Sequence, residues 1–104
     1  MVKVSISRKQ HSIVQVSMKG HAGSADHGYD LVCAGASSIS VGMMNALDQM
    51  TPDTCEFLMK EANVIITVIT STELNQSLLE GMIIQLQTLQ ETYHQYITIT
   101  DQEV

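Results

Sequence analysis

A chain of 104 residues with 44% hydrophobic residues, one Phe, three Tyr and no Trp fits one domain, residues 1–104, with an aliphatic core that needs no disulfide or metal to staple it. Charged residues are 15% of the chain, and no segment has the composition of a disordered tail. The net charge of −6 leaves only the first hairpin basic enough for nucleic acid, since Lys3, Arg8, Lys9 and Lys19 precede the first acid, Asp26, and Lys60 is the one later base; no direct nucleic-acid binding is expected.

An acidic body suits a basic partner, or solubility alone. Lys3 among alternating Val and Ser residues lacks the apolar run of a signal peptide. No apolar run reaches membrane-spanning length, so no membrane association is expected. These features predict a cytoplasmic protein whose Cys33 and Cys55 stay reduced.

Val2, Val4 and Ile6 alternate with polar residues and predict a half-buried strand. After a polar turn at residues 8–12, Val14, Val16 and Met18 predict a second strand paired with the first. Residues 20–29 break the pattern with Gly20, Gly23 and Gly28 and no large aliphatic residue, which predicts a mobile loop. Asp30 suits a helix N-cap. Val32, Ala36, Ile39, Met43, Leu47 and Met50 then recur at helical spacing. Gly35 and Gly42 weaken that helix but let it approach a neighbour, and Thr51-Pro52-Asp53 stops it.

Cys55, Phe57 and Met59 alternate along a third strand, with Cys55 expected in the core. A turn at residues 61–63 leads into β-branched residues 64–70, a central strand. Ser71 or Thr72 caps a second helix whose stripe is Leu78 or Leu79, Met82, Leu86, Leu89 and Tyr93. A short strand at residues 96–100 and a tail at 101–104 end the chain. The order ββαββαβ predicts an α+β fold, a two-layer sandwich with a mostly antiparallel sheet and both helices on one face. On the open face, Ile65 and Ile69 would mark a dimer surface or edge contact.

The chemistry concentrates at the loop. Cys33, in the first turn of the first helix, would meet unpaired N–H groups and a positive dipole end, which favour a thiolate. His21, at the loop's other end, can fold back onto the sulfur as general base and then acid. N–H groups near Cys33 and Ala34 would bind an oxyanion. Asp30 either caps the helix or orients His21, and His27 is a rival base. The other readings are a Cys packed at a helix start, a redox or metal-sensing dimer, and a Zn²⁺ site from His21, Asp26, His27, Asp30 and Cys33; the last lacks the usual paired spacings, so no metal or cofactor is expected. His11, His94 and Cys55 read as structural.

Gly20-His21-Ala22-Gly23, followed by Gly28, Asp30-Leu31-Val32-Cys33-Ala34 and Ser37, resembles the ribosomal-processing cysteine protease family. The likeness extends over essentially the whole chain and departs at Ala34-Gly35-Ala36, where the family more often has Ala-Ala-Val. It implies a Cys-His dyad at Cys33 and His21, with Gly20, Gly23, Asp30, Ala34 and Ser37 supporting the site or binding substrate. It further implies a cytoplasmic homodimer that removes a short N-terminal extension from large-subunit ribosomal protein twenty-seven, the precursor being its peptide substrate. A non-catalytic assembly module that binds the same ribosomal protein is the alternative.

Overall fold

The computed structural model describes residues 1–20, 27–61 and 63–104, those from 27 to 29 by backbone alone. The elements are β1 (Val2–Lys9), β2 (Ser12–Lys19), α1 (His27–Met50), β3 (Cys55–Lys60), β4 (Asn63–Val68), α2 (Glu73–Tyr93) and β5 (Ile97–Glu103). The expected α+β order holds. The sheet runs β3-β4-β2-β1-β5. Three pairings are antiparallel, and β5 lies parallel to β1, with Val2 opposite Ile97 and Arg8 opposite Glu103.

Alternation decides which face is covered. Val2, Val4 and Ile6 are buried while Lys3 and Ser5 are exposed, so both helices lie on one face. The core draws on β1, β2, β4 and β5 and on both helices, but takes no fully buried residue from β3. On α2 the buried set is Asn75, Leu79, Met82, Ile83 and Leu86. Gly35 explains how the two helices meet: a Cβ there would lie 3.3 Å from a Leu89 methyl.

Several expectations shift. In β2 it is Ile13, not Val14, that is fully buried, because a register break between Ser7 and Arg8 leaves Val14 as the extra residue. Ile13 and Val16 thereby reach the same face across a bulge. The fully buried stripe of α1 is Val32, Ala36, Ser40, Met44 and Leu47. Ile39 and Met43 flank it and Met50 is exposed. Ser40 is tolerated because its hydroxyl donates to the Met18 sulfur at 3.4 Å.

Strand β5 continues to Glu103 instead of fraying after Thr100. Arg8 holds it, donating to both carboxylate oxygens of Asp101 at 2.8 and 3.0 Å and to Glu80 of α2 at 2.7 Å. The segment 30–50 of α1 also corrects the expectation that no run is long and apolar enough to span a membrane: it meets that test, with a mean hydropathy of 1.2. Its Ala, Gly and Ser residues keep charge out, and its buried stripe packs on the sheet.

Thr72 caps α2, accepting from the Asn75 N–H at 3.0 Å while Asn75 Oδ1 accepts from the Thr72 N–H at 3.0 Å. This is a capping box closed by Asn. Buried Asn75 also donates to the Thr70 carbonyl at 2.8 Å. The β1–β2 hairpin turns on Gln10 and His11, both at positive φ (52° and 71°), the type I′ geometry that ordinarily selects Asn-Gly.

Candidate active site

Residues 21–26 lie outside the described residues, and with them His21, Gly23 and Asp26; the side chain of His27 is not described either. Helix α1 begins at His27, three residues before the expected cap. Asp30 is therefore a residue of the first turn, exposed, where its carboxylate opposes the positive dipole end. It does not stand at the N-cap.

Cys33 consequently falls in the second turn. Among the described residues, the N–H groups without helical partners are those of residues 27–29, not those of Cys33 and Ala34. The expectation of unpaired N–H groups near Cys33 and Ala34 is thus corrected: the unpaired groups of the helix start lie one turn earlier. Ala34 points to solvent and does not line the cleft described next.

Cys33, Ser37 and Val41 follow one another at four-residue steps and form one flank of α1. That flank walls a cleft of about 240 Å³. Met59 and Lys60 at the end of β3 line it as well, together with Val2, Met18 and Val64 of the sheet. Gly20 closes the end where β2 leaves the sheet. A Cβ on Gly20 would stand 3.1 Å from the Val2 side chain, so glycine lets the chain pass close against β1 there. The structure thus brings together Gly20, Cys33 and Ser37.

Sequence reasoning missed Val41, Met59, Lys60 and Asn63 at this cleft. Val41 was accessible as the next four-residue step after Ser37. Met59 and Lys60 carried no signal, because their place depends on β3 being the outermost strand. Asn63 was placed in a turn. It begins β4, opposite Lys19 and Lys60, and its Oδ1 is the buried side-chain polar atom that lacks a hydrogen-bond partner among the described residues.

Cys55 is half-buried against the core, not within it, and is not bonded to Cys33. Burial raises its thiol pKa, with a smaller opposing effect from the Thr54 hydroxyl. It is the thiol less suited to nucleophilic work. No three His, Cys, Asp or Glu side chains gather for a metal among the described residues.

A thiol on the wall of a groove suits attack on an extended acyl substrate. The family described as cysteine protease Prp matches residues 1–98. The chain is a cysteine protease. It belongs to the Prp family, as its relatives also indicate: the ribosomal processing cysteine protease Prp of Staphylococcus aureus (strain Mu50) is 31% identical, covering 95% of this chain and 97% of its own. That of Bacillus subtilis (strain 168) is 30% identical, covering 96% of each. The crystal structure of S. aureus Prp with a substrate peptide superposes with a TM-score of 0.90 at 28% identity, covering 98% of this chain and 100% of that one. The same protease with a covalently linked product peptide gives 0.86 at 29% identity over the same shares.

Proposed function

We propose that this protease removes the N-terminal extension of large-subunit ribosomal protein twenty-seven, acting in the cytoplasm as a homodimer. The observation that carries the proposal is the position of Cys33 on the wall of a cleft that Gly20 and Ser37 also line. The names of the relatives, which process ribosomal proteins, supply the substrate class.

In this reading the Cys33 sulfur, as thiolate, attacks the scissile carbonyl carbon. The resulting tetrahedral oxyanion is held by N–H donors. Collapse breaks the C–N bond, and His21 gives its proton to the departing amine. Water, deprotonated by His21, then attacks the thioester and releases Cys33. Asp30 supports the start of α1 or the imidazole. Gly20 and Gly23 support the site, Ser37 lines the cleft that takes the substrate, and Ala34 lies on the outer side of the same helix. The acidic body attracts a basic ribosomal protein.

Incubation with the precursor tests this. Wild type is expected to cut once, at the extension, while Cys33→Ala and His21→Ala each lose activity by on the order of 10⁴-fold. Cleavage that survives Cys33→Ala would sink the mechanism. Binding of the precursor by wild type without cleavage would instead establish a non-catalytic assembly role.

A further inference from the structure

Strand β3 is built unlike the others. It is the outermost strand of the sheet and pairs only with β4 among the described residues. Its six residues are almost entirely exposed, yet three in a row are large and apolar: Phe57 (37% exposed), Leu58 (41%) and Met59 (63%). Pairing with the buried Ile66 and Val64 puts Phe57 and Met59 on the helix-covered face. They are positions where a core would continue if another strand followed.

Outer strands are ordinarily blunted by charge or covered. The opposite outer strand, β5, is: it carries Asp101 and Glu103, with Arg8 held against the former. Strand β3 has no such device beyond Glu56 and Lys60 at its margins. Its row of backbone donors and acceptors runs straight into the catalytic cleft, since Met59 and Lys60 line the cleft that Cys33 also lines. A partner for that row must be an extended chain, because only an extended backbone matches the ladder spacing.

We propose that the peptide substrate adds to β3 as a sixth strand, with alternate side chains packed on Phe57 and Met59, and that this pairing feeds the scissile bond to Cys33. The inference deepens the peptide-cleaving reading above and rests on it. Six residues of β3 offer a track of about 20 Å. Specificity then comes from apolar residues at every second substrate position, and affinity from main-chain bonds that any sequence supplies.

The test separates binding from cleavage. A fluorescein-labelled peptide spanning the extension junction of ribosomal protein twenty-seven is titrated onto the Cys33→Ala variant, and a series carrying one backbone N-methyl group at each position in turn is compared. Methylation at every second residue along the track is expected to weaken binding about tenfold or more, with the intervening positions near the parent. Uniform loss, or none, overturns the proposal. No binding of the parent peptide overturns both the inference and the substrate assignment. Alternating binding without cleavage by wild type overturns the assigned reaction alone.

Phe57→Ser combined with Met59→Ser gives a second arm in wild type. It is expected to raise KM about tenfold at unchanged kcat, with the melting temperature reporting the fold. The methyl series needs no change in β3, so it decides the matter even if that variant misfolds. Sedimentation of both proteins reads the rival occupant: if the substitutions dissociate a dimer and leave peptide affinity unchanged, the edge belongs to a second copy and the proposal fails.

Discussion

The two outer strands of the sheet face opposite tasks. Strand β5 is locked: Arg8 ties it to α2, the His11 N–H donates to Glu103 at 2.9 Å, and the Val104 N–H donates to the Arg8 carbonyl at 2.8 Å. Its neighbour α2 is capped by Thr72 and Asn75 and stitched to β2 by Gln76, which accepts from the Ile13 N–H and donates to the Ile13 carbonyl. Strand β3 has little of this. Its apolar side chains lie open, and the helix above it presents Cys33, Ser37 and Val41 to the groove. Stability is concentrated on one edge and recognition on the other, so an open reactive edge does not loosen the fold that carries it.

Substitutions can break that comparison. The largest effect is expected in the locked half. Leu86→Ala removes a side chain only 1% exposed and should cost about 3 kcal/mol in a denaturant melt. Asn75→Ala follows, at about 2 kcal/mol, because it leaves the Thr72 N–H and the Thr70 carbonyl unpaired at a buried cap. Arg8→Met should cost about 1 kcal/mol, since the Asp101 and Glu80 carboxylates remain partly solvated. In the open half, Phe57→Ser should cost no more than about 1 kcal/mol, because the ring is already 37% exposed. A loss there as large as that of Leu86→Ala would end the division of labour.

The smallest effect is read by pH. Burial pushes the Cys55 thiol up from its ordinary value. The folded state therefore holds its proton to a higher pH than the unfolded chain does. The corresponding stability is fully present below the unfolded thiol pKa and is lost as pH rises through the folded one. Cys55→Ser should accordingly show a slightly flatter decline in melting temperature on the alkaline side. An identical decline in both proteins would show that Cys55 is as solvated folded as unfolded.

The two edges also differ in how far the sequence announced them. The alternation of Val2, Val4 and Ile6 and the β-branched run of β4 declared strands, and the stripe of α2 declared its core face. Cys33 and Ser37 were visible as helix neighbours. The bulge at Val14 was not, because Ile13-Val14 offers two adjacent apolar residues and only the partner strand selects one. The exposure of Phe57 and Met59 was not legible for a similar reason. Alternation shows that two residues share a face, but not whether anything covers it. The start of α1 was set late, at Asp30 as cap instead of before His27, because Asp30 is as acceptable inside a first turn as before it.

The parallel pairing of β1 with β5 has a practical corollary for anyone handling this protein. Because the two strands run the same way, the chain begins at one end of the sheet and finishes at the other. Val2 lines the cleft, whereas Val104 is fastened beside the far hairpin through Arg8. Eight residues of strand separate them by about 26 Å. An affinity tag or fluorescent fusion placed before Met1 would therefore crowd the substrate entrance, while one placed after Val104 would leave it clear.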